Sequence, residues 1–300
     1  MNRIASTLPV VLIVMCLCGV FARPARAQPR VYQSNLADED WSFLKDASKR
    51  QDWWDPAKYI PFPREDWFVT LSGEIRYRPE GFRIKATDIA PATRDQYLLQ
   101  RYLFGADFHL GKQLRVYTEL QSGLISGRIG GSRPTDQNKI DLHQGFVEWK
   151  SSGDEAPGFG VRVGRQELTI GNSRLISAAP GLNVKRSFDG ARVAMATGSW
   201  RFDGAAAELT SLESGAFDDV PDHQIRFWGA SARRAGAGWK RAWTVYYLGL
   251  ENEDLQLAQG RGKDVRHTIG LNFRAVHGML DFNYDGIVQA GTFQGNEVRA

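Results

Sequence analysis

No cysteine occurs beyond position 18. Cys16 and Cys18 both lie in an N-terminal stretch that export removes. The exported chain therefore has no disulfide staples, no thiolate metal ligand and no cysteine nucleophile. After residue 27 there is also no run of the ~20 apolar residues that a transmembrane helix needs. The H-E-x-x-H, G-x-S-x-G and phosphate-loop patterns are missing. The five histidines, His109, His143, His223, His267 and His277, show no spacing with a serine that would suit a barrel-borne hydrolase. These absences argue against an enzyme, and no cofactor or resident metal is expected. Asp218, Asp219 and Asp222 could hold Ca²⁺ through oxygen, but an ordinary solvated loop is the preferred reading.

The removable stretch is residues 1–27. Arg3 gives it a positive end, residues 8–21 are apolar apart from Pro9 and Gly19, and Ala25, Arg26 and Ala27 form an A-x-A cleavage site before Gln28. This is the pattern of a secretory signal peptide. Of the 38 basic residues, Arg3, Arg23 and Arg26 leave with it, and none of the 34 acidic ones does, so 35 positive charges face 34 negative ones. That balance removes the case for nucleic acid as a partner.

Residues 28–65 form a separate pre-barrel segment. Asp40 can cap a short helix around Trp41 and Leu44. Trp53, Trp54 and Pro56, then Tyr59, Pro61, Phe62 and Pro63, make the rest extended, with the aromatics read as a collar on a barrel base. From residue 66 the signal has period two. Val69, Leu71, Ile75 and Tyr77 alternate with Thr70, Ser72, Glu74 and Arg76. Ile269, Leu271 and Phe273 alternate with Thr268, Asn272 and Arg274. Short connections fall near 110–113, 151–158, 196–199, 234–238 and 276–279. Longer polar ones fall near 80–96, 122–138, 170–183, 211–222 and 251–264. Short turns at one end and long loops at the other predict an all-β, transmembrane antiparallel β-barrel in the outer membrane, with about eleven strands in this chain.

If the apolar parity meets lipid, the other parity lines the lumen. It carries Glu74, Arg76, Arg78, Arg101, Asp107, Arg115, Glu119, Glu148, Arg162, Arg192, Arg226, Arg266, Arg274, Asp281 and Asp285. Arginine dominates and lysine is nearly absent. Guanidinium stays charged and grips carboxylate in two-pronged fashion, which suits an anionic cargo. Interleaved acids keep the grip weak enough for release. Arg–Glu ladders that only stiffen the wall are the competing explanation for any single arginine.

The densest text is Val161, Arg162, Val163, Gly164, Arg165, Gln166, Glu167 and Leu168, followed by Arg174 and Leu175 and then Arg186, Ser187, Phe188, Asp189 and Gly190. A bulge at Gly164 would turn Arg165 inward, where Arg174, Arg186 and Asp189 would meet it near the extracellular end. This G-R-Q-E-L … R-L … R-x-F-D-G pattern resembles the signature of the alginate-export family of outer-membrane barrels. The D-P-x-K-Y-I-P pattern from Asp55 resembles that family's pre-barrel segment. The resemblance implies a channel for an anionic polysaccharide such as alginate, with Arg165, Arg174, Arg186 and Asp189 at a charged constriction. It also implies outer-membrane lipid, the barrel-assembly machinery and periplasmic polysaccharide-secretion proteins as partners. Pro180, Gly181, Leu182 and Asn183 depart from the family pattern, where a tryptophan often precedes the asparagine. The strand count is smaller than the family's and no aromatic final strand is present, so the chain reads as lacking C-terminal strands. A porin unrelated to polysaccharide export is the first alternative, and an outer-membrane hydrolase the second.

Overall fold

Period-two alternation gives long strands, and they pair in sequence order. The computed structural model describes residues 32–84, 93–151, 158–171, 173–236 and 241–300. The leader expected at 1–27 lies outside them. One sheet contains every strand. Its members are β1 (Ile60–Pro61), β2 (Trp67–Ile84), β3 (Thr93–Leu110), β4 (Leu114–Ser126), β5 (Asn138–Lys150), β6 (Gly158–Gln166), β7 (Phe188–Thr197), β8 (Trp200–Ser211), β9 (Val220–Ala235), β10 (Arg241–Leu257), β11 (Gly260–His277), β12 (Leu280–Phe293) and β13 (Asn296–Arg299). Each strand runs antiparallel to its sequence neighbours, for example β2 to β3 and β10 to β11. The expected eleven strands are the long ones, β2–β12. Among the described residues no ladder joins β1 to β13, so the sheet is open.

In-step pairing sorts the outer side chains into rows. Nearest the short turns stand Trp200, Arg234, Trp243, Phe273 and Tyr284 on neighbouring strands. Trp243 and Phe273 rings lie 4.2 Å apart, and Arg234 covers Trp200 at 5.6 Å. Above them is a row of Met195, Phe202, Ala232, Val245 and Leu271, then one of Val193, Gly204, Ala230, Tyr247 and Ile269. The topmost row is charged and comprises Asp189, Glu208, Arg226 and Glu251. From Trp243 to Glu251 a strand advances roughly 27 Å at ~3.4 Å per residue. A tilt of about 40° reduces this to ~20 Å of height, close to the ~25 Å apolar band of outer-membrane barrels with its aromatic girdle.

Three local expectations are corrected. Within the stretch expected to be extended, Asp55–Lys58 is one α-helical turn with Pro56 in its first turn, where a proline costs no hydrogen bond. Asp40 does accept the Ser42 N–H, but the turn that follows, Ser42–Lys45, is a 3-10 helix. Trp41 and Leu44 are pulled into a cluster with Tyr59 and Phe68, leaving no room to extend an α-helix. The loop expected over 251–264 is instead continuous strand, β10 and β11 turning at 258–259. There Glu251 and Glu253 pair with Lys263, and Asp254 with Arg261. Cross-strand ion pairs replace apolar alternation in this hairpin, so the sequence loses its period while the strand continues.

Leu271 is 47% exposed on the outer face, whereas Asn272 is 7% exposed and donates to Asn283 and to the Tyr284 carbonyl. Leu271→Arg is expected to destabilise the chain by about 2–4 kcal/mol in denaturant unfolding in lipid vesicles. A cysteine at 271 should react with lipid-phase reagents only. Water-phase labelling at 271 would reverse the two faces.

Candidate functional site

The inner face is covered by two pieces of chain. The first is the N-terminal segment. Ala37 packs on Tyr117 and Phe146, and its carbonyl accepts from Arg115 Nη2 at 2.5 Å. The Ser34 carbonyl accepts from Lys185 at 2.9 Å, and Asn35 Oδ1 from Gln144 at 2.9 Å. The second is the connection between β6 and β7, residues 167–187. It begins with Leu168 and Ile170, which pack on Phe188, Phe227, Tyr246 and Leu248 of the inner face. The inner parity is thus apolar under this connection and polar elsewhere.

Asn183 anchors the far part of the connection by donating to the carbonyls of Gln100 (3.1 Å), Leu124 (3.1 Å) and Asp136 (2.8 Å). Lys185 is fully buried, ion-paired with Glu167. Glu167 also meets His143 at 3.0 Å, while Glu119 accepts from Tyr117 at 2.6 Å and from Gln144 at 3.4 Å. These side chains make a polar core between the sheet's inner face and the two covering pieces. Glu119 belongs to that core and is fully buried.

Arg76, Arg101, Arg115, Arg162 and Arg192 all stand on the inner parity. Arg76 donates to the carbonyls of Pro180 (3.3 Å) and Leu182 (2.6 Å). Arg101 donates to the same two carbonyls at 3.0 and 2.8 Å and pairs with Glu74. Arg78 donates to the Gly181 carbonyl. The segment where the sequence departs from the family pattern is therefore a docking piece held through its backbone. Arg115 pairs with Asp107 and Glu148, Arg162 with Glu148 while lying 4.1 Å over the Phe146 ring, and Arg192 with Asp203.

The motif residues do not form one cluster. Gly164 has φ +129°, and a Cβ there would meet the Gly145 carbonyl at 2.3 Å. Yet both ladders of β6 stay in step through it, with Gly145 opposite Arg165 and Arg165 opposite Asp189. Without a bulge Arg165 is not turned inward, and Arg165 and Asp189 fall in the charged outer row. They do bind each other, Nε to Oδ1 at 3.0 Å, with Thr210 also donating to Asp189. Arg165 Nη1 further donates to the carbonyls of Leu142 and Asp219. It thereby pins the β8–β9 connection, residues 212–219, which crosses to β5 and pairs there through Lys139 N to Gly215 O and Phe217 N to Ile140 O. Arg174 instead meets Asp285 of β12 at 3.6 Å, and Arg186 is exposed outside both groups. Residues 167–187 dive under the sheet and carry these two arginines away. Arg226, read as luminal, stands in the outer row against Glu208 at 3.1 Å, because it shares the parity of Trp228 and Ala230 in an unbroken ladder with β10. In the 212–219 connection, burial and the neighbouring Asp141 carboxylate push Asp219 up to about 6.

A family model described as alginate export matches residues 68–300. The chain belongs to the alginate export family. This is a family of outer-membrane transport channels, so membership implies a channel protein of that membrane. No curated protein matches the chain. Within this alginate-export chain, Asn183 and Lys185 were missed in the sequence. Asn183 was noted only as part of a deviating tetrapeptide, and a lone lysine in an arginine-rich chain carried no periodic signal.

Arg165→Met is expected to free the 212–219 connection. Loss of hydrogen bonds to a charged group costs about 1.5–3 kcal/mol, so protease cleavage within 212–219 should quicken by roughly ten-fold or more. Ion conductance should stay as in the parent. A raised conductance with unchanged cleavage would instead put Arg165 at the pore.

Proposed function

We propose that this chain forms an anion-conducting path of the outer membrane, carrying an anionic polysaccharide of the alginate type along its arginine-bearing inner face. The observation that carries the proposal is a surplus of guanidinium donors on that face. Arg76 Nε and Arg162 Nη1 are buried and have no acceptor among the described residues. Charged donors left without an acceptor suit carboxylate, and an arginine already partly held by backbone carbonyls binds a passing carboxylate only loosely. Export through a leader cleaved after Ala27, insertion by the barrel-assembly machinery and coupling to periplasmic secretion proteins belong to the same proposal. So does placement of the aromatic row at the periplasmic interface.

The acids facing Arg101, Arg115, Arg162 and Arg192 favour a second reading, a porin selective for small organic anions. Uronate chain length separates the two. Under the first reading, uronate oligomers block current through the chain in planar bilayers at lower concentration than the monomer does. Under the second, the monomer passes and oligomers have no effect.

The double variant Arg76→Gln, Arg162→Gln removes both spare donors. It is expected to weaken oligouronate binding by about ten-fold or more, given ~1.5–3 kcal/mol for each hydrogen bond to a charged group. Its reversal potential in a salt gradient should shift toward cations. A folded double variant that binds oligouronate as the parent does would reduce these arginines to wall stiffeners.

A further inference from the structure

The β8–β9 connection places three carboxylates against the outer end of β5. Ligand oxygens of Asp141, Asp218 and Asp219 lie within 4.8 Å of one another. Asp141 is 3% exposed, and none of the three has an ion-pair partner among the described residues. Apart from one side-chain amide, that of Asn138, their hydrogen bonds come from backbone. Leu142, Asp218 and Asp219 N–H groups serve Asp141, Glu213 N–H serves Asp219, and Gly215 N–H serves Asp218. Arg165, the nearest cation, gives its Nη1 to the backbone carbonyl of Asp219 and its Nε to Asp189. A Cβ on Gly215 would meet Asp218 Oδ2 at 2.0 Å, so glycine there is what lets this carboxylate close on the group.

A second observation points to a ligand. Asn138 is fully buried, and its amide is directed at the group, donating to Asp219 Oδ2 at 3.0 Å. Its Oδ1 has no partner. Turning that amide over would set its oxygen against the Asp219 carboxylate, an arrangement that is stable when both oxygens share a cation. We infer that Asp141, Asp218, Asp219 and the Asn138 side-chain oxygen form a calcium site that clamps the β8–β9 connection onto β5. Ca²⁺ takes 6–8 oxygen ligands at about 2.3–2.6 Å, so two of its ligands stand up to ~4.8 Å apart. The donor set is all oxygen, with no imidazole or thiolate to favour zinc or copper. Asp222, named with Asp218 and Asp219 from the sequence, is outside the group, and Asp141 and Asn138 from a distant strand complete it. The clamp holds shut a connection that crosses β6 and β7, and it is independent of what the channel carries.

The test uses the full chain refolded in a non-ionic detergent free of lipopolysaccharide, dialysed to equilibrium against radioactive Ca²⁺ with Mg²⁺ in excess. The parent is expected to bind one Ca²⁺ saturably, in the ~10⁻⁴–10⁻³ M range of extracellular sites. Asp218→Asn, an exposed position whose change leaves the strands intact, should weaken binding about ten-fold or more, and Asp141→Asn should abolish it. Asp222→Asn should bind as the parent does. Ca²⁺ should also slow protease cleavage within 212–219 in the parent and not in Asp218→Asn. No saturable binding by the parent, or parent-like binding by Asp218→Asn, would overturn the site. Should Asp141→Asn fail to fold, the Asp218 variant decides alone.

Discussion

The pairing of neighbouring strands in step is the constraint on which the rest of this molecule depends. In hydrocarbon an unpaired backbone amide or carbonyl costs several kcal/mol, of order the cost of burying an isolated polar group, so the ladders admit little freedom. Because side chains alternate strictly, a slip of one residue would exchange the two faces of a strand. From β7 to β11 the ladders keep Val193, Gly204, Ala230, Tyr247 and Ile269 in one row. The slips that do occur, at Glu119/Leu120, Gln121/Gly123, Glu208/Leu209 and Asn252/Leu255, all fall in the half of the sheet toward the longer loops. His143 is the extra residue at the first of them, and the slip is what turns it to Glu167 on the inner side of the sheet. Bulges placed where a side chain must be re-aimed are a recurring device of barrel rims.

The inner face solves a different problem. Six arginines on one face repel one another unless something intervenes. Acids intervene for Arg78, Arg101, Arg115, Arg162 and Arg192, and backbone carbonyls of residues 180–182 hold Arg76 and share in holding Arg78 and Arg101. Carbonyl oxygen carries only partial charge, so Arg76, held by carbonyls, keeps more of its pull on an anion than a full ion pair would leave it. Burial of Lys185 beside Glu167 is tolerable for the usual reason, that a desolvated charge needs a close partner and further hydrogen bonds. Lys185 has both, through Glu167 and the Ser34 carbonyl.

The sheet and its two faces were legible because their signal is local: alternation fixes parity within a strand, and short turns fix antiparallel order. Ile269 and Leu271 announce their face by themselves. The rim was harder. Glu251, Asp254, Arg261 and Lys263 read as a polar loop, since a strand held by cross-strand ion pairs has no apolar period. The motif around Arg165 was legible as a pair with Asp189 and illegible as to side. Parity at Gly164 depends on whether a bulge forms, and the sequence allows one that the ladders do not contain. The crossing of residues 212–219 to β5 was invisible for a deeper reason. It joins Asp218 and Asp219 to Asp141 and Asn138 across more than seventy positions, and no local pattern encodes such a meeting. Residues 180–182 were marked only as a deviation, because backbone carbonyls have no sequence signature at all.

That docking by main chain has a consequence for how the family can diverge. Arg76, Arg78 and Arg101 grip oxygens that every amino acid possesses, while Pro180 and Gly181 present their remaining atoms to solvent. An attachment that ignores side-chain identity leaves that identity unconstrained. The tripeptide can be rewritten while its mooring to the wall stays the same. Sequence drift at this point is therefore uncoupled from the stability of the fold.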